Sequence, residues 1–287
     1  MASFSGTAAA LFYILLWASA YVPSKIGVLE SSPLWFLACR FGLAGLLALA
    51  LARAFGSEFP RKPRDWYATA ALGLLANAAY LGLTYEALRH LASGVGAIIA
   101  STNPLVLALV APYALGERLN GGKIAGLALG FGGVVGIMFA RIGSGTAEPR
   151  DVALAFAGVM ASVASTLVFK RYLSHSDVHS MTGLQLLAAS LFLVPFAVFF
   201  EGRPHAVWSL QLAGSYVYLV GVISIGASLL WFRLLKRGEA SRVTAYYFLT
   251  PVFGLLISAW LLHEPVGLRD LAGLGAIALG IALVQRS

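Results

Sequence analysis

The stretch Tyr85–Gly133, YEALRHLASGVGAIIASTNPLVLALVAPYALGERLNGGKIAGLALGFGG, decides the fold because the chain contains it twice. Its landmarks Tyr85, Leu88, Pro104, Glu117, Gly126 and Gly133 return 147 positions on as Phe232, Leu235, Pro251, Glu264, Gly273 and Gly280. Five of the six are identical, the sixth exchanges one aromatic for another, and no gap is needed across 49 residues. A register that keeps a proline, a glutamate and two glycines within low-complexity apolar sequence marks an internal repeat. One unit is used twice, over 1–145 and 146–287.

Around this repeat the composition is that of a membrane: 59% of residues are hydrophobic and 11% charged, against about 25% charged in a soluble domain. A bilayer crossing takes about 20 mostly apolar residues. Glycines, prolines and charge clusters divide the chain into ten such segments, at 6–27, 33–55, 67–88, 92–115, 122–140, 151–172, 180–200, 209–234, 240–262 and 267–284. The expected fold is an all-α membrane protein of ten transmembrane helices. Short connections leave no room for a soluble nucleotide-binding or catalytic domain. Cys39 is the single cysteine, which excludes an intrachain disulfide and a cysteine metal cluster. The net charge of +8 lies in short loops between apolar runs, so it reads as membrane orientation and not as a nucleic-acid surface.

Basic residues near helix ends favour the cytoplasm. With the N-terminus inside, the cytoplasmic loops and ends hold 13 Lys and Arg, against 6 on the other side (Lys25, Arg89, Arg141, Arg150, Arg203 and Arg269). Both termini are therefore expected in the cytoplasm. Five spans per copy is an odd number, so the second copy enters the membrane from the opposite side and the two repeats are inverted. Inverted repeats are a transporter architecture with the substrate site near the midplane between the copies. Gly143-Ser144-Gly145 reads either as a hinge between the halves or as a plain external turn.

Several side chains are candidates for that site. In the first span Trp17 falls mid-membrane, where interfacial anchoring explains it poorly. In the third, Asn77, Tyr80 and Thr84 form a polar stripe, and the shift of 147 places Ser224 and Trp231 on the equivalent eighth span, with Ser228 between them. Ser101 precedes Pro104, while Tyr246 and Thr250 precede Pro251; a proline there frees a carbonyl that either faces a cavity or merely accompanies a kink. Arg40, in the second span, is either a pathway residue or one that reaches for the interface. Glu117 and Glu264, near span ends, are expected to pack or cap. The spacing of Gly126, Gly130, Gly132 and Gly136 suits close helix contact, within the molecule or between two copies in a homodimer.

Enzyme and metal motifs fail. The run ending Gly122-Lys123 lacks the first glycine and the final hydroxyl of a phosphate loop, His263-Glu264 lacks a second histidine, and no Gly-x-Ser-x-Gly occurs. No catalytic residue, metal ligand or cofactor is expected. No Asp, Glu or His lies near a span centre, so flux is expected to follow a substrate gradient or exchange rather than a proton.

Trp17 and Lys25 flanking Pro23, the pair Arg40-Phe41, and the twice-used motif NPLVLALVAPYALGE and TPVFGLLISAWLLHE make the chain resemble the ten-helix EamA-type members of the drug/metabolite transporter superfamily. The second copy departs from the family's Leu-Gly-Glu, having Leu262-His263-Glu264. Within the family it looks most like the YddG-like exporters of aromatic and other amino acids. The resemblance implies a basket of spans 1, 3, 4, 6, 8 and 9 around a central cavity that works by alternating access. A bacterial inner-membrane location, a small-molecule substrate, contact with lipid and no nucleic-acid partner are expected, as a monomer or homodimer. The competing expectations are an exporter of drugs, nucleosides, sugars or cationic compounds, and a non-transport membrane scaffold.

Overall fold

The computed structural model describes residues 4–88, 90–91, 93–139, 148–207, 209–253 and 268–287. Among these the chain is helical, and its one strand-type pairing is an isolated antiparallel bridge between Ser31 and Ala206. We label the α-helices α1 (Phe4–Ser19), α2 (Tyr21–Glu30), α3 (Pro33–Ala54), α4 (Pro63–Gly73), α5 (Tyr80–Leu88), α6 (Ser93–Ala100), α7 (Asn103–Leu115), α8 (Gly121–Phe139), α9 (Pro149–Val168), α10 (Val178–Glu201), α11 (Leu210–Tyr218), α12 (Ser228–Arg237), α13 (Ala240–Ala245) and α14 (Leu268–Arg286).

Among the described residues six helical runs are long and apolar enough to cross a membrane: Gly6–Glu30, Pro33–Ala54, Ile98–Leu115, Pro149–Leu173, Val178–Glu201 and Leu210–Arg237. Two more, Gly121–Ile137 and Leu271–Arg286, are apolar but shorter. The expected third span forms one continuous helical run from α4 through α5. The expected ninth is described only to Phe253, and Glu264, His263 and the Gly143–Gly145 segment lie outside the described residues. The chain is thus a multi-pass helical membrane protein.

Helix ends follow from local chemistry. Proline stands at the start of α3, α4 and α9, where its missing N–H is no loss. Asp177 caps α10 by accepting from the N–H groups of His179 and Ser180, and Ser209 caps α11 by accepting from that of Leu212. Two caps come from far along the chain. The Glu201 carboxylate accepts from the Leu34 and Trp35 N–H groups at 3.0–3.1 Å, finishing α3. Glu117 accepts from the Ala240 N–H at 2.6 Å and the Ser241 N–H at 3.2 Å, finishing α13.

Equivalent helices of the two copies pack antiparallel. On α3 and α10, Gly45 lies against Leu187 and Gly183 against Leu49. On α8 and α14, a Cβ on Gly126 would stand 2.6 Å from the Gly280 carbonyl oxygen, and one on Gly133 2.7 Å from that of Gly273. The shift of 147 carries Gly126 to Gly273 and Gly133 to Gly280, so this contact maps onto itself with its partners exchanged. The glycine run divides accordingly: Gly126, Gly130 and Gly133 serve packing inside the molecule, while Gly132 and Gly136 face open space. A shallow groove of about 420 Å³ on the α8–α14 pair, floored by residues such as Gly132, Gly136 and Ala276, holds no polar side chain and is not where the chemistry lies.

Helical irregularities also recur. The chain widens into π turns at Leu74–Ala79 and Leu219–Ala227, and 74–79 shifts onto 221–226. It breaks at 101–102, between α6 and α7, and tightens into a 3-10 turn at Tyr246–Leu249, which spans the equivalent place. Such departures cluster at functional sites.

Candidate functional site

Five aromatic rings from α1, α5, α12 and the 3-10 turn meet inside the bundle. Tyr13 stacks on Trp17 (centroids 6.2 Å apart) and on Trp231 (5.0 Å), and meets Tyr247 edge-on at 6.1 Å. Trp17 stacks in turn on Tyr80 at 6.5 Å, and Trp231 lies 5.1 Å from Tyr247. The Tyr13 and Tyr247 hydroxyls share a hydrogen bond of 2.9 Å. The cluster joins residues far apart in sequence, from both copies of the repeat. Of the residues expected at a site, it brings together Trp17, Tyr80 and Trp231, and it adds Tyr13 and Tyr247.

The other candidates distribute around it. Tyr246 is buried and points its hydroxyl to Thr7 Oγ1, 3.5 Å away, so Tyr247 takes the place beside the rings. Thr84 Oγ1 lies at the α5–α9 contact, where a Cβ on Gly158 would stand 2.9 Å from it. Ser228 opens α12 and is half-buried, and Ser101 is buried at the break before α7.

Asn77 and Ser224, equivalent under the shift, each sit in a π turn, and each bonds the span-two-type helix of the other copy. Asn77 Nδ2 donates to Gln185 Oε1 of α10 at 2.5 Å. Ser224 Oγ accepts from Arg40 Nε of α3 at 2.9 Å. Arg40 is 3% exposed, and its side chain turns inward to Ser224 instead of reaching for the interface. Phe41 lies under its guanidinium at 5.3 Å, and Tyr85 and Tyr216 stand beside it. A fixed cation therefore stands directly behind Ser224.

Two buried oxygens face no partner among the described residues at another pair of equivalent positions. Thr250 Oγ1 is one and Asn103 Oδ1 the other, each immediately before its proline. Asn103 donates through Nδ2 to Ser162 Oγ at 2.9 Å, which leaves Oδ1 as an acceptor. Asn103 was not among the expected site residues, although the shift from Thr250 identifies it. No group of three or more His, Cys, Asp or Glu among the described residues could hold a metal ion.

At the end of the bundle nearest the N-terminus a polar latch joins the copies. Lys123 Nζ donates to Glu239 Oε2 at 2.7 Å, and Arg242 Nε stands 3.1 Å from the same oxygen. Lys170 Nζ donates to the Leu235 and Gly238 carbonyls at 2.7 and 2.6 Å. Partial burial works against ionisation of Glu239, but the hydrogen bond and charge of Lys123, with Arg242, outweigh it and hold the carboxyl below its ordinary value.

The model of the EamA-like transporter family matches residues 4–139 and again 150–286. An uncharacterized transporter of Bacillus subtilis, YvbV, is 31% identical over 96% of this chain and 89% of its own length. A probable amino-acid metabolite efflux pump of Escherichia coli is 25% identical over 94% of this chain and 90% of its own. A crystal structure 21% identical in sequence superposes over 97% of this chain and 96% of that one with a TM-score of 0.80, which shows a shared fold. Matched twice by one family model along nearly its whole length, this membrane transporter belongs to the EamA-like transporter family of the drug/metabolite transporter superfamily.

Proposed function

We propose that the protein exports neutral amino acids, aromatic ones among them, or closely related metabolites across a bacterial inner membrane. Ten spans form two inverted five-helix repeats with both termini in the cytoplasm, and transport proceeds by alternating access. The observation that carries the reading is the cluster of Tyr13, Trp17, Tyr80, Trp231 and Tyr247. Rings contributed by both copies offer flat apolar surface with hydroxyl rims, suited to an apolar or aromatic side chain. The oxygens of Asn103 and Thr250 supply acceptors for an ammonium group, since an unpaired buried acceptor is unfavourable until a donor arrives. Resemblance to relatives named amino-acid metabolite efflux pumps supports the same substrate class. Antiparallel packing of equivalent helices supports the inversion.

The stacked rings and the Lys123–Glu239 hydrogen bond both join the two copies, so alternating access requires them to part. The deciding experiment is counterflow of the purified protein in liposomes against the amino acids. Accelerated exchange of phenylalanine or another neutral amino acid supports the reading, and its absence across the whole set overturns it.

A further inference from the structure

We infer that Arg40 is the receptor for a carboxylate on the transported molecule. This rests on the amino-acid reading only for the choice of substrate; the anion site stands on its own geometry. Arg40 lies seven residues into α3, about 10 Å from the helix start, at a depth where an ionised side chain is costly unless partnered. Its surroundings are neutral: the Ser224 hydroxyl, the Phe41 ring, Tyr85 and Tyr216. Among the described residues no Asp or Glu forms an ion pair with it. A guanidinium offers five donors in a fork matched to carboxylate, and Ser224 engages the Nε edge.

Where Arg40 meets Ser224, the equivalent π-turn residue Asn77 meets the neutral, buried Gln185 of α10, so that π turn is tied to the other copy's helix without a charge. The positive charge behind Ser224 is then explained by an anion that is not part of the chain, and a carboxylate has two oxygens that match the fork.

The test uses the full chain purified in detergent and three probes of one shape: phenylalanine, phenylalaninamide and 3-phenylpropionate. The readout is the shift in thermal unfolding midpoint, with apparent affinity taken from its concentration dependence. Expected is a rise with phenylalanine and phenylpropionate and little with the amide. Arg40→Gln, which removes the charge and keeps a polar end, should weaken both carboxylates roughly ten- to hundredfold, while Arg40→Lys should retain part of the preference over the amide. If Arg40→Gln does not fold, Ser224→Ala decides, since it keeps the charge and should keep the carboxylate preference. The inference is overturned if wild type gains nothing from either carboxylate, if Arg40→Gln keeps the wild-type preference, or if Ser224→Ala loses it. An Arg40-dependent rise with phenylpropionate but no transport of amino acids would leave the anion site standing and remove the amino-acid reading. Transport of phenylalanine with an unchanged acid-to-amide ratio in Arg40→Gln would do the reverse.

Discussion

Removing the Trp17 ring takes away two stacked neighbours at once, Tyr13 and Tyr80. Aromatic pairs contribute about 0.5–1.5 kcal/mol beyond their buried area, so Trp17→Ala and Tyr80→Ala should lower substrate flux by roughly tenfold or more. Thr250→Val and Ser228→Ala remove one neutral hydrogen-bonding group each, about 1 kcal/mol, and should cost about fivefold. Phe192→Ala, on the exposed side of α10, should leave flux near wild type at matched membrane levels. Equal losses at Phe192 and the two rings would show that the stack is a packing feature. Spacing alone led to Trp17, Tyr80 and Trp231. It did not separate Tyr247 from Tyr246, because a 3-10 turn advances about 120° per residue instead of 100° and the phase cannot be counted through it. Nor does a local pattern reveal what meets Asn77 or Ser224, whose partners lie 108 and 184 residues away in sequence.

Among the elements, the α8–α14 crossing gives the sharpest contrast. Gly133 meets the backbone of Gly273, whereas Gly132 faces open space one position away. Gly133→Leu should therefore abolish accumulation of folded protein, because the opposing atom is backbone and cannot yield. Gly132→Ala should be tolerated and even slightly favourable for the helix. Fluorescence-detected size exclusion of the two variants makes the comparison, and equal behaviour would contradict the packing. The repeat signalled in the sequence that these helices are equivalent, and the G-x-x-x-G spacing that something touches them. Only rotation about the helix axis tells Gly133 from Gly132, and a run with glycine on every side carries no such signal. The π turns were hidden for a similar reason, since an extra residue in a turn leaves the composition of the span unchanged.

At the scale of the molecule, topology is the first matter to check. Reporters fused after Arg64 and after Lys236 should both read cytoplasmic and one after Gly145 external; the parity argument fails if the 64 and 145 positions report the same side. The latch predicts a pH effect with a definite sign. Glu239 is held below its ordinary value, so the stability that its ionised form contributes is fully present above the unfolded-state value. That stability is lost as pH falls through the lower folded-state value. The thermal midpoint of wild type should thus fall more steeply on acidification through and below the ordinary carboxylate range than that of Glu239→Gln; parallel curves would remove the latch from consideration.

The long-range caps have a consequence for how the chain is made. Leu34 and Trp35 leave the ribosome well before Glu201, which lies 166 residues beyond Trp35. Ala240 and Ser241 in turn wait on a carboxylate already synthesised at Glu117. Throughout translation of the first half, the opening turn of α3 has no protein acceptor and must be served by water or lipid headgroups. Newborn first halves are therefore unfinished substrates for membrane quality control. A gene split within 140–147 should yield two fragments that are each degraded alone and spared when made in the same cell.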